Sequence, residues 1–167
     1  FGSGYFFKDA DAQRPLAAIA RKAKRLLVPL YIWNVVYGVG AALLRRFLGF
    51  EIGEPVTLYN LLLAPLTDGH QFQWNLGSWF VFPLLMGQVI YACLRRCPKL
   101  WGDREPLTFL FCLIPGVFCV TLCNEGQQAL LPLWVLRTLI LLPGYAGGVL
   151  YRRCLEKRDT LPTVPYL

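Results

Sequence analysis

Charge is scarce in this chain. Of its 167 residues only 16% are charged, 17 basic and 10 acidic, while 56% are hydrophobic. A soluble domain carries roughly 25% charged residues. The deficit, the long uncharged runs and a mean hydropathy of +0.45 exclude an ordinary water-soluble domain. They indicate a polytopic membrane protein. Histidine is nearly absent, and His70 stands alone. The six cysteines, Cys93, Cys97, Cys112, Cys119, Cys123 and Cys154, contain no tight CxxC repeat, so no metal site is expected. Most lie inside or at the ends of apolar segments, where cysteine serves as a small packing residue. Palmitoylation of Cys93, Cys97 or Cys154 requires a eukaryotic host. Soluble domains, internal repeats and low-complexity tracts are missing too. The chain opens without an initiator Met and without a signal-peptide layout. Phe1–Phe7 reads as the tail of a helix already in progress, and the chain as a piece of a longer protein.

What is present is a strong pattern of cations beside apolar runs. Arg21-Lys22-Ala23-Lys24-Arg25 places four cations in five residues, and an uncharged segment follows through Leu44. About 20 apolar residues cross a bilayer core of roughly 30 Å as a helix. Lys and Arg are retained at the cytoplasmic mouth of such a helix, so this stretch sets an orientation. A net charge of +7 would suggest nucleic acid in a soluble protein. Here topology accounts for it, and no nucleic-acid partner is expected.

The whole chain, 1–167, is therefore read as one all-α transmembrane domain. It is a helix bundle of about four full spans plus the end of a preceding one. The spans fall at 26–44, 76–94, 107–123 and 129–151. Pro15–Arg25 is predicted to be helical, with Pro15 in its first turn. Thr57 is placed to N-cap a short helix, Leu58–Ala64, too short to span. Arg45 and Arg46 close the first span on the far side, but the six cations before it outnumber them. Arg95-Arg96 and Arg152-Arg153 end the second and fourth spans, and the exit of the third, Asn124–Gln128, has no cation. The cations alternate accordingly, in, out, in, out, in.

At this point the residues resemble the acyltransferase 3 family of integral-membrane acyltransferases. Ser3-Gly4-Tyr5-Phe6-Phe7 looks like the end of that family's second helix, and Arg21–Asn34 like its basic loop and third helix. Gly69-His70-Gln71-Phe72-Gln73-Trp74-Asn75, running to Trp79-Phe80-Val81, looks like the polar approach to the next helix. Leu136-Arg137-Thr138-Leu139-Ile140-Leu141-Leu142-Pro143, then Gly144 to Leu150, resembles a later Arg-and-Pro helix. The resemblance implies transfer of an acyl group from a cytoplasmic acyl-CoA-type donor, used as co-substrate with no further cofactor. The acceptor it implies is a hydroxyl of a carbohydrate or cell-surface glycan, and the implied location is the bacterial plasma membrane, multi-pass. The family's RxxR motif maps onto Lys22-x-x-Arg25 or Arg21-x-x-Lys24 in charge only, since Lys lacks the bidentate fork of Arg. The family's catalytic His lies in its first helix, which His70 does not match, so this piece alone is expected to be inactive. A transporter or exporter with broken helices and basic loops, or a structural membrane subunit, is the alternative.

Candidate site residues follow. Arg21, Lys22, Lys24 and Arg25 are donor-binding candidates, because clustered cations suit polyanions; contact with anionic lipid headgroups is the other reading. His70 is a candidate base for an acceptor hydroxyl, with Asp68, Gln71 and Trp79 as acceptor-binding candidates. Trp74 and Trp79 also suit interfacial anchoring. Arg137 is the one formal charge well inside a span, about 12 Å from the nearer mouth if the helix starts at Ala129. A buried Arg faces protein or a water-filled cavity, so Arg137 is a candidate for steadying donor or developing charge, or a tie to another helix. Gln88, Asn34 and Tyr91 are expected to join helices.

Overall fold

The computed structural model describes residues 2–5, 15–49, 53–68, 78–96 and 105–156. The described residues are helical, with turns and no strand. In chain order they form α1 (Gly2–Tyr5), α2 (Pro15–Leu48), α3 (Leu58–Leu62), α4 (Ala64–Thr67), a 3-10 turn (Ser78–Phe80), α5 (Val81–Arg95), α6 (Glu105–Asn124) and α7 (Leu133–Leu150). A π-helical turn, Tyr151–Leu155, extends α7. Among the described residues, four helices are long and apolar enough to cross a membrane: Ala17–Leu48, Ser78–Arg95, Glu105–Asn124 and Leu133–Leu155.

The predicted basic helix and the first span are one continuous element. α2 starts at Pro15, whose missing N–H has no cost in a first turn, and it runs through Pro29 without ending. It stops at Gly49, which takes φ +66, the left-handed conformation that closes many helices. At 1.5 Å per residue α2 is about 50 Å long, well beyond a core of roughly 30 Å. Its basic first half therefore projects past the apolar zone.

α7 is the central helix. It packs against α6, α5 and α1, and α2 packs against α5. The core joins Tyr91 of α5, Cys112 of α6 and Leu142, Tyr145, Ala146 and Val149 of α7, all buried. Tyr91 and Tyr145 meet edge to face at 5.3 Å between ring centres, a favoured aromatic arrangement. Pro143 lacks an N–H and leaves the Leu139 carbonyl without its usual helical donor. Gly116 of α6 lies against that place: a Cβ there would stand 3.1 Å from Leu139 O and 3.0 Å from Pro143 Cδ. The absent side chain lets two proline-bearing helices cross closely.

Between the spans, α3 and α4 fold back along α2. Thr57 caps α3 as predicted, its Oγ1 accepting from Asn60 N at 3.2 Å. Fully buried Asn34 donates from Nδ2 to the carbonyls of Asn60 (3.1 Å) and Leu61 (2.9 Å). Tyr31 Oη donates to Leu62 O at 2.9 Å. These satisfy α3's last carbonyls, which have no intrahelical donor. Arg45 donates to Gly53 O at 2.9 Å, near the end of α2. Asn34 lies 11 residues earlier, about 16 Å along the helix, so α3 re-enters toward the level of the apolar zone.

Candidate functional site

Antiparallel packing gives the bundle a basic end and an opposite end. The basic end holds the first half of α2, the C-termini of α5 and α7, and the N-terminus of α6. A cavity of about 250 Å³ opens there, lined by Ser3, Lys22, Arg25, Leu26 and Gln88. Residues three and four apart share one face of a helix, so Lys22, Arg25 and Leu26 reach this wall together. Arg21 and Lys24 are exposed and do not line it. Gln88 is buried on α5 and donates from Nε2 to Ser3 Oγ at 2.9 Å. The structure thus separates the four predicted donor-binding cations into two that line a cavity and two that do not.

Beside this cavity lies an ion cluster that the sequence reading missed. Glu105, only 6% exposed, opens α6. Its Oε1 pairs with Arg95 Nη1 at 3.0 Å and with Arg153 Nη1. Its Oε2 accepts from Tyr91 Oη at 3.2 Å. A carboxylate at a helix N-terminus is favoured by the helix dipole, and one carboxylate here joins the ends of α5, α6 and α7. A carboxylate heading a span, with Arg pairs closing two other spans, was the available signal. Next to it, Arg152 donates to Tyr5 O at 3.0 Å and stacks on the Tyr5 ring at 5.6 Å. Tyr5 Oη donates to Glu156. These contacts hold α1 against the end of α7.

At the opposite end, α7 starts at Leu133 rather than Ala129. Pro132 precedes it with extended ψ 139, and Leu131 is disfavoured in helix because proline follows it. Arg137 is consequently four residues, about 6 Å, inside its helix. It is half-buried and faces protein. Its Nη1 donates to Asp68 O at 2.5 Å, and its guanidinium lies 5.3 Å from the Trp79 ring centre, within cation–π range. Asp68 O belongs to the C-cap of α4, where a cation complements the helix dipole. Three predicted site residues, Asp68, Trp79 and Arg137, are thus brought together. His70, Gln71 and Trp74 lie outside the described residues, immediately beyond Asp68 in sequence.

Asn34, Gln88 and Tyr91, expected to join helices, each bind another segment. Among the described residues no group of three His, Cys, Asp or Glu side chains has the arrangement to hold a metal. A family model described as an acyltransferase domain matches residues 1–164. No curated protein and no solved structure matches the chain.

Proposed function

We propose, from the premise that this chain belongs to the acyltransferase 3 family, that it takes an acyl group from a cytoplasmic acyl-CoA-type donor to a hydroxyl of a carbohydrate or cell-surface glycan. The observation that carries the reading is the cavity at the basic end, lined by Lys22 and Arg25 together with Ser3, Leu26 and Gln88. Two cations beside a partly apolar recess suit a phosphate-bearing molecule with a thin chain. The basic end is assigned to the cytoplasmic face of the membrane, because cations gather there at three segment ends; a bacterial plasma membrane is what the family resemblance implies.

We assign Asp68, Trp79 and Arg137, which meet at the opposite end, to the acceptor side, with His70 and Gln71 as further candidates from the sequence. In the transfer the acceptor oxygen attacks the thioester carbonyl carbon and a C–O bond forms. The C–S bond breaks, the sulfur leaves with its electron pair, and the hydroxyl proton passes to a base; the family's catalytic His is not matched by His70, to which we assign the holding of the acceptor hydroxyl. Negative charge develops on the carbonyl oxygen. A positioned guanidinium stabilises such charge in a dry site, the role assigned to Arg137.

Coenzyme A binding to the purified protein in detergent tests the donor site. Replacing Lys22 and Arg25 together by Gln is expected to weaken binding by roughly tenfold or more, since charge-assisted contacts contribute about 1.5–3 kcal/mol each when formed. Abundance in the membrane should hold, because Arg21 and Lys24 still mark the end of the span. Unchanged affinity in the double variant would leave those residues a topological role alone.

A further inference from the structure

We infer that Gln88 is a specificity residue of the donor site, accepting a hydrogen bond from an amide N–H on the donor's carrier arm. This rests on the donor reading above. Polar side chains at membrane depth normally find partners inside the protein. Asn34 is fully buried and donates to two carbonyls. Buried Thr138 donates to Trp134 O at 2.7 Å. Gln88 departs from this pattern. It is 9% exposed, its Nε2 is used on Ser3, and its Oε1 has no hydrogen-bond partner.

A carboxamide carbonyl accepts two hydrogen bonds, and leaving it unpaired in a buried place is unfavourable. With Nε2 given to Ser3 Oγ, the end left over is the carbonyl, which takes a donor group rather than an acceptor. The remaining walls narrow the chemistry. Lys22 and Arg25 make the lining cationic, and Leu26 adds an apolar strip. A ligand with phosphates at one end and a thin amide-bearing chain attached satisfies all three walls. The amide-linked arm of a coenzyme A-type thioester has that composition. Simple phosphates lack the N–H, and a neutral sugar lacks the anion.

The test compares two probes on the purified protein by calorimetry. One is coenzyme A. The other is adenosine 3′,5′-bisphosphate, which keeps the nucleotide and two of its three phosphates without the arm. Gln88→Met keeps the length and the apolar volume and removes the carbonyl. It is expected to weaken coenzyme A binding about three- to tenfold, the range of one neutral hydrogen bond, and to leave the bisphosphate unchanged. The milder Gln88→Asn withdraws the amide by one methylene and should show the same selective loss, which keeps the test valid if the Met variant folds poorly. Equal weakening for both probes, or no weakening in either variant, overturns the assignment while the donor reading stands. Wild-type protein that binds neither probe overturns both.

Discussion

The carbonyl oxygen of Tyr145 occupies the place where a side chain on Gly4 would begin. A Cβ built on Gly4 falls on that oxygen and lies 3.2 Å from Tyr145 Cα. α1 and α7 therefore touch backbone to backbone, the close approach that small residues permit in membrane bundles. With Arg152 on Tyr5 and Gln88 on Ser3, the contact decides where Ser3 stands in the cavity wall.

Gly4→Ala should consequently part α1 from α7. Overpacking costs about 1–3 kcal/mol where side chains give way, and a backbone carbonyl gives way less easily. We expect a clear loss of thermal stability in detergent together with weakened coenzyme A binding. Gly87→Ala is the control, because its Cβ would meet only Leu142 Cδ1 at 3.9 Å and alanine is the better helix former. Equal melting temperatures for Gly4→Ala and Gly87→Ala would contradict the close approach.

Glu105 is the second point where one side chain joins several helices. Removing one partner of a buried ion pair costs about 3–5 kcal/mol, because the other charge is left without compensation. Glu105→Gln should fall toward the lower end of that range, since the Arg153 side chain keeps 25% exposure to screen its charge. Glu125, exposed at the opposite end, gives the comparison, and Glu125→Gln should be nearly neutral. Denaturant midpoints of the two variants measure the difference.

The membrane architecture was legible because its signals are local. Uncharged runs gave the number of spans, Pro15 the start of α2, and Thr57 the cap of α3. The polar Asn34, Gln88 and Tyr91 announced joints between segments because few other polar groups lie at that depth. Two features were not legible. Glu105 finds Arg153 across 48 positions, and nothing local selects that partner from the other cations. The start of α7 was obscured because Ala129-Leu130-Leu131 is apolar like the span, yet it precedes Pro132 and forms a separate turn over Gln128–Leu130. That shift moved Arg137 toward the helix mouth. His70 and Gln71 lie outside the described residues, so their place on the acceptor side rests on sequence alone.

Sidedness can be read with an impermeant thiol reagent. Cys93 lies near the C-terminus of α5 and Cys154 beyond α7, both at the basic end, while Cys123 lies at the far end of α6. In intact cells, single-cysteine variants should label at Cys123 and not at Cys93 or Cys154. Cys112 and Cys119 are fully buried and should stay unlabelled after permeabilisation. Labelling at Cys93 but not Cys123 would reverse the orientation and move the cation-lined cavity away from the cytoplasm.

Arg137 provides the sharpest separation between a tie and a chemical role. Its guanidinium binds the Asp68 carbonyl with one nitrogen and lies by the Trp79 ring. It thereby holds the end of α4, from which the chain leaves toward His70. Arg137→Lys keeps the charge, so insertion should be unchanged. Lysine offers one compact ammonium in place of a planar fork, and cannot reproduce both a directed N–H bond and stacking. We expect turnover to fall by roughly 100-fold or more, as when a preorganised donor to developing charge is lost, with little change in coenzyme A affinity. Asn34→Leu removes the tie at the other end of the re-entrant segment without touching the acceptor side. If Arg137 only anchors that segment, the two variants should lower stability and turnover in proportion. A Lys variant with full turnover would remove Arg137 from the chemistry altogether.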